Sequence, residues 1–217
     1  MKDSVKSKLQ GVRQVVMVSI VLMLICGLLF PALLSGISQL LFPGQAKGNL
    51  LTVEGKTLGA KYVGQEFNQA YYMWSRPSAV HYNVYVEAED GKKYYPDKTE
   101  FEGIGSGSEN YAPSNPALTE RIQKDLDRFL ALNPNVKKED IPADLLTASG
   151  SGLDPHISPQ AALIQIPRIA EASGLSEEEI RSIVEQHTHK KLLGIFGEET
   201  VNVLEVNIAL AQKMGLL

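Results

Sequence analysis

The chain has 217 residues, with 21 Lys and Arg against 25 Asp and Glu and one cysteine, Cys26. Beyond Phe42 it carries 17 basic and 24 acidic side chains, a formal charge of −7, which excludes the basic footprint a nucleic-acid partner requires. Those 175 residues contain no cysteine and so no disulfide, and are enough to bury a core without one.

The first predicted element is a membrane span. The 33 residues from Gln14 to Ala46 contain no Asp, Glu, Lys, Arg or His, and about 20 apolar residues suffice to cross a bilayer. Val15 to Cys26 supplies the first half and Gly27 to Ile37 completes it, with Pro31 tolerable as a kink. Lys2, Lys6, Lys8 and Arg13 flank the N-side against Asp3 alone, so the positive-inside rule predicts a cytoplasmic N-terminus and an exported remainder. A cleaved signal peptide would have a shorter apolar core ending at a small-x-small site. Here the run is too long, no Ala-x-Ala follows it, and Cys26 sits mid-span rather than in a Leu-x-x-Cys lipidation pattern. The expected organisation is a cytoplasmic tail over 1–14, an uncleaved anchor over 15–42 and an extracytoplasmic domain over 43–217. Within the span, Gly27, Ser35, Gly36 and Ser38 are small, and small residues let membrane helices approach closely. Gly27 and Ser35 are candidates for one shared packing face, with Gly36 beside it.

Phe42-Pro43-Gly44-Gln45 is expected to open a short linker. From Leu50 to Tyr72, apolar runs broken by Gly55, Gly59 and Gly64 predict strands and turns. Val84, Val86 and the tyrosines around Asp90-Gly91 predict a β-hairpin from Tyr82 to Tyr95. Gly103 to Pro116 reads as a polar loop. Asn115-Pro116 then starts a helix carrying Leu118, Ile122, Leu126, Phe129 and Leu130, ended by Asn133-Pro134. Ser158-Pro159 starts a second, with Ala162, Leu163, Ile166, Ile169 and Ala170 on one face, a kink at Pro167 and a stop at Gly174. Ser176 and Glu179 form a capping box for a third, bearing Ile180, Ile183 and Val184. Val201 to Met214 alternates like a strand at its start and fits a helix from about Val203. Strands followed by helices predict one span and a single α+β domain.

Few residue patterns point to chemistry. Gly103 to Ser108 has no apolar strand before it and no Lys-Ser/Thr after it, so it reads as a flexible connector rather than a phosphate loop. His187 and His189, two apart, do not share a helical face, so joint metal binding would need extended backbone. Ser151, Asp154 and His156 hold the elements of a hydrolytic triad within six residues, but triad members normally come from separate elements, and Gly150-Ser151-Gly152 is not a nucleophile elbow. Trp74 and the tyrosines read as core or interface. The richest stretch, Pro142 to Pro159, contains a hydroxyl-rich loop at Ser149 to Gly152, an Asp154-Pro155 turn and the Ser158-Pro159 helix start. Bottom-up, it is either a rigid capped loop or a docking and anion-contacting one.

That stretch resembles the signature of the C-subunit family of the Kdp-type potassium-transporting ATPase. Gly64-Gln65-Glu66-Phe67, Arg76-Pro77-Ser78-Ala79, Ser114-Asn115-Pro116, Gln165 to Ala170, Phe196-Gly197-Glu198 and Val201 to Asn207 are similar to its other motifs in order, over nearly the whole chain. Val80 to Ile104 departs from it as a longer, tyrosine-rich insertion, and Ser106 to Asn110 departs in composition. The resemblance implies a non-catalytic accessory subunit of an ATP-driven, high-affinity potassium uptake pump in a bacterial inner membrane. Its implied partners are a channel-like potassium-binding subunit, an ATP-hydrolysing P-type subunit and a small membrane peptide, and these handle potassium and ATP. It also implies a catalytic chaperone that raises the ATP affinity of the hydrolysing subunit. With the domain outside, that effect must travel through the membrane subunits or arise during assembly. Family-motif residues expected to meet partners are Arg76, Pro77, Ser78, Ser149, Ser151, Gly152, Asp154, Asn202 and Asn207. The rival expectations are an anchored extracytoplasmic hydrolase using Ser151 or Ser149, and an anchored ligand sensor.

Overall fold

In the computed structural model, which describes residues 2–101 and 103–217, the chain divides into two compact units, Met1–Leu50 and Leu51–Leu217. The expected tail begins at Met1 and the expected insertion includes Glu102, and both positions lie outside the described residues, as do the side chains of residues 2–10. The first unit is helical: α1 (Lys2–Leu24), a π-helical turn (Ile25–Leu29), α2 (Phe30–Leu41) and a short α3 (Pro43–Ala46). Gly11–Leu41 is long and apolar enough to span a membrane. At about 1.5 Å per residue it exceeds the roughly 30 Å hydrocarbon core. At the expected kink the helix takes a π turn. Pro31 has no N–H, and its ring would press on the carbonyl of Gly27 four residues back. The backbone answers by widening one turn, with Phe30 N–H donating to Ile25 O, five residues back. The expected short linker opens on Pro43–Ala46. It forms one helical turn, Pro43 at its first position, closed by Lys47 N–H on Pro43 O at 3.2 Å.

The second unit opens with a hairpin of β1 (Leu50–Val53) and β2 (Lys56–Ala60). Its two turn residues, Glu54 and Gly55, take positive φ of 49° and 80°, the sign a tight hairpin turn needs. Residues 61–85 cross the domain with no regular strand. The predicted tyrosine hairpin is present but small: β3 (Val86–Glu87) pairs antiparallel with β4 (Lys93–Tyr94) around Asp90-Gly91. Aromatic contacts hold it, with Tyr85 tilted and Tyr95 edge-on against Phe101 at centroid distances of 4.7 and 5.1 Å.

Helix α4 (Pro116–Leu132) begins as predicted, with Ala117 N–H donating to the Asn115 side chain, and buries Leu126 and Phe129. The single helix expected after Ser158 is two, α5 (Pro159–Leu163) and α6 (Ile166–Ser173). The break falls at Ile164-Gln165, and Pro167 sits in the first turn of α6, where its missing N–H costs nothing. Gly174 ends α6 at φ 76°. The Ser176–Glu179 capping box opens α7 (Glu177–Gln186).

Strands do not all precede helices. Between the helices, β5 (His156–Ile157), β6 (Thr188–His189) and β7 (Thr200–Asn202) form an antiparallel sheet ordered β5-β7-β6. From β7 the chain passes directly into α8 (Val203–Lys213), Asn202 capping it by accepting from Glu205 N–H. The core packs Met73, Ile157, Ile166, Ile169, Ile180, Val184, Val201, Val206 and Leu210 between sheet and helices.

Candidate functional site

Several motif residues far apart in sequence meet where the 61–85 segment crosses the 147–157 loop. Arg76 Nη1 lies 3.1 Å from Asp154 Oδ2, both side chains one quarter exposed, and Nη2 donates to Thr147 O at 3.4 Å. Asp154 Oδ1 accepts from His156 N–H at 3.0 Å. One residue-pair further, Ser78 Oγ donates to Gly152 O at 2.6 Å and accepts from the N–H groups of Val80 and Tyr82 at 3.2 and 3.1 Å. Tyr82 Oη donates to Arg76 O at 2.8 Å, and burial pushes its hydroxyl well above the ordinary tyrosine range. Gly64 N–H donates to Leu153 O at 2.8 Å, and a Cβ at Gly64 would sit 2.5 Å from the Tyr82 ring and 2.6 Å from Asp154 O. Pro77 stands between Arg76 and Ser78 and lines the groove described below.

The hydroxyl-rich loop spends its groups on itself. Gly152 N–H donates to Ser149 Oγ at 2.9 Å, Leu153 N–H donates to Ser151 Oγ at 3.1 Å, and the two hydroxyls are 3.4 Å apart. Gly152 has φ 67°, and a Cβ there would lie 2.7 Å from Gly107 O. Gly107 N–H donates to Ser151 O at 2.7 Å, so the glycine-rich stretch expected to be a free connector is pinned to this loop. Asp154 is thus engaged with Arg76 and the His156 backbone amide, with Oδ1 3.7 Å from His156 Nδ1, while Ser151 Oγ accepts from its own turn.

A second group of motif residues holds the same segment from below. Asn207 exchanges two hydrogen bonds with the backbone of Met73, and Gln165 accepts from Trp74 N–H at 2.9 Å and donates to Trp74 O at 3.3 Å. Arg168 donates to Asn133 Oδ1 at 3.2 Å, Gln165 Oε1 at 2.7 Å, Tyr72 O at 3.0 Å and Ala70 O. Burial lowers its guanidinium pKa to about 10. Trp74 is buried beside two cations, Arg128 and Arg168, whose guanidinium carbons are 4.9 and 4.8 Å from its ring. Asn202 Nδ2 donates to Lys61 O at 2.7 Å. These side-chain amides and guanidinium groups replace the neighbouring strand that the irregular segment lacks. Tyr82 and Asn133 were not singled out by sequence. Asn133 reads only as a helix terminator, and nothing local marks Tyr82 off from the other tyrosines.

The histidine pair sits where a helix gives way to a strand. His187 closes α7, but Thr188 and His189 are strand β6, so the backbone is extended there. His189 Nε2 lies 3.3 Å from Glu205 Oε2, and its ring is 6.0 Å from that of His156. Burial raises Glu205, but Lys61 Nζ at 2.9 Å and His189 outweigh it and hold the carboxyl below its ordinary value.

Beside Arg76 opens a groove of about 580 Å³, lined by charges of both signs including Glu66, Arg121 and Asp125. Among the described residues, buried Glu66 Oε2, Arg76 Nε, Arg121 Nε and Asp125 Oδ2 have no hydrogen-bond partner, and all four side chains line it. Burial raises the Asp125 carboxyl above its ordinary value, against the pull of Arg121 and Arg128.

A family model described as K+-transporting ATPase, c chain, matches residues 12–212. Proteins named Potassium-transporting ATPase KdpC subunit are similar along nearly their full length. The one from Clostridium kluyveri is 50% identical over 95% of this chain and 96% of its own. That from Clostridioides difficile is 48% identical over 96% and 100%, and that from Caldanaerobacter subterraneus 40% identical over 94% and 96%.

Proposed function

We propose, from the premise that this chain belongs to the family of the K+-transporting ATPase c chain, that it assembles and stabilises its pump through a rigid domain held outside the membrane. It is an accessory subunit of a potassium pump, not the catalytic one. The observation that carries the finer reading is how the motif residues are used. Arg76 with Asp154, Ser78 with Gly152, and Asn202 and Asn207 with the backbone of Lys61 and Met73 bind the domain to itself. Such bonding supports a preformed docking body, which associates without a large ordering cost. The partners are the channel-like potassium-binding subunit, the P-type ATP-hydrolysing subunit and the small membrane peptide. Seated outside, the domain raises ATP affinity as a coupling free energy passed through the membrane subunits, and is itself no ATP site. In the span, Gly27, Ser35 and Gly36 present a close-packing face to a neighbouring helix. The π turn supports this, because one extra residue per turn brings the eight-residue separation of Gly27 and Ser35 nearer two whole turns.

The test is co-purification of the full chain, tagged after Leu217, with the products of its pump operon. Recovery of the potassium-binding and ATP-hydrolysing subunits is expected. Recovery of the chain alone, beside a complete potassium-stimulated pump, would overturn the reading. The mixed-charge groove favours a second reading, a ligand sensor. Stabilisation of the purified chain by a small zwitterionic solute, lost in Asp125→Asn, would support it.

A further inference from the structure

Helix α4 and the 61–85 segment both line the groove beside Arg76, and each brings one arginine and one carboxylate to it. Arg121 and Asp125 are four residues apart on α4 and so share a face. Glu66 and Arg76 come from the crossing segment. Among the described residues, Arg76 Nε and Arg121 Nε are buried donors without an acceptor, and Glu66 Oε2 and Asp125 Oδ2 are buried acceptors without a donor. These atoms do not pair with one another, and the head of Arg76 is already tied to Asp154 and to Thr147 O. Two donors and two acceptors therefore stand around one space of about 580 Å³, within the size range of small-molecule sites. Trp74, the chain's single tryptophan, lines the same space. The residues that bring His81 to the groove are strained. His81, Tyr82 and Asn83 take consecutive left-handed φ of 47°, 52° and 57°, an unfavourable conformation for residues that carry a side chain. Ser78 Oγ and the reciprocal bonds between Asn83 and Gly105 hold them there, with His81 Nε2 3.6 Å from Asp97 Oδ2. Strain of this kind gathers at ligand sites.

We propose that this groove binds a small zwitterion carrying both a protonated primary amine and a carboxylate, as a free amino acid or a short peptide does. The proposal rests on the ligand-sensor reading of the same groove and names its ligand class. Hydrogen-bonding capacity selects that class. A carboxylate accepts from the two Nε–H groups, and an ammonium bearing N–H protons donates to Glu66 and Asp125, all of them charge-assisted bonds. An anion alone would meet the two carboxylates and a cation alone the two guanidinium groups, and burying one charge without its counterpart is costly. The lining itself favours neither sign, with four acidic side chains against four Lys and Arg. A quaternary ammonium has no N–H to give, so a betaine would leave Glu66 Oε2 and Asp125 Oδ2 unpaired.

Calorimetric titration of the purified full chain with each of the protein amino acids singly, with glycylglycine and with glycine betaine tests this. At least one amino acid or the dipeptide is expected to bind about tenfold or more tighter than glycine betaine, and which of them binds separates a free amino acid from a peptide. The emission of Trp74 should change along the same titration. Asp125→Asn and Arg121→Gln should each weaken binding about tenfold or more, while Arg181→Gln, exposed on α7, should leave it unchanged. Glycine betaine bound as tightly would overturn the ligand class and leave the sensor reading standing. No binding by any zwitterion would overturn both, the groove then holding water alone. Binding that leaves the Trp74 emission unmoved, or that both groove variants retain, would put the site elsewhere and overturn the proposal. If neither variant folds, the betaine comparison and the Trp74 signal decide.

Discussion

Asn207 and Met73, 134 residues apart, pair as two strands would: Met73 N–H donates to Asn207 Oδ1 at 2.7 Å, and Asn207 Nδ2 donates to Met73 O at 2.9 Å. Both residues are buried, so the side-chain amide stands in for a peptide group that the sheet does not supply. Asn207→Leu keeps the branching and heavy-atom count of the side chain but leaves the buried Met73 N–H and C=O unpaired. It should destabilise the domain by about 2–4 kcal/mol. Thermal or denaturant unfolding followed by Trp74 fluorescence measures it, and Asn207→Leu melting as wild type would mean that the pairing contributes nothing.

The two glycines flanking Ser151 should respond oppositely. Gly150 has open space where a Cβ would go, whereas at Gly152 that Cβ would lie 2.7 Å from Gly107 O with φ at 67°. Gly150→Ala is expected to change stability by less than about 0.5 kcal/mol, and Gly152→Ala to cost roughly 1–3 kcal/mol. Equal melting temperatures for the two variants would contradict the fit of this loop against residues 78–80 and 107.

How much of this was legible in the chain differs by range. The Asn115 cap, the Ser176–Glu179 capping box and the strand-to-helix change at Val203 are local signals, and each stands where its residues predict. The β5-β7-β6 sheet was not legible, because strands of two and three residues are too short to show a period of two. The α5–α6 break was likewise hidden, since Gln165 is bound to Trp74, 91 residues earlier. Motif order pointed to Arg76, Ser78, Gly152 and Asp154 as a set, yet their pairing spans more than 70 residues and only the fold reveals it.

Acid should weaken the domain before its carboxylates titrate. Burial holds His156 below the ordinary 6.5, against the opposing pull of Asp154 and Glu205 and together with His189 and Lys61; burial also lowers His187. A base whose folded pKa is depressed contributes stability that is complete above its unfolded pKa and lost as pH falls through the folded one. The melting temperature should therefore fall from about pH 6.5 downward, and fall less steeply in His156→Gln with His187→Gln. A flat profile between pH 7.5 and 5 would remove the histidines from the account.

Gly27 lies in the π turn four residues before Pro31. With Gly27→Leu, recovery of the pump through a tag after Leu217 should drop while the domain melts as wild type, because bulk replaces a close-packing face. Full recovery with both Gly27→Leu and Gly36→Leu would mean the domain alone carries assembly.

The claim on which the rest depends is that the domain lies outside, where it reaches the pump's outer face and not cytoplasmic ATP. A reporter active only after export, fused behind Leu217 of the full chain, measures this most directly. The account predicts an active exported reporter and a silent cytoplasm-only reporter at the same position; the reverse pair of signals would contradict it.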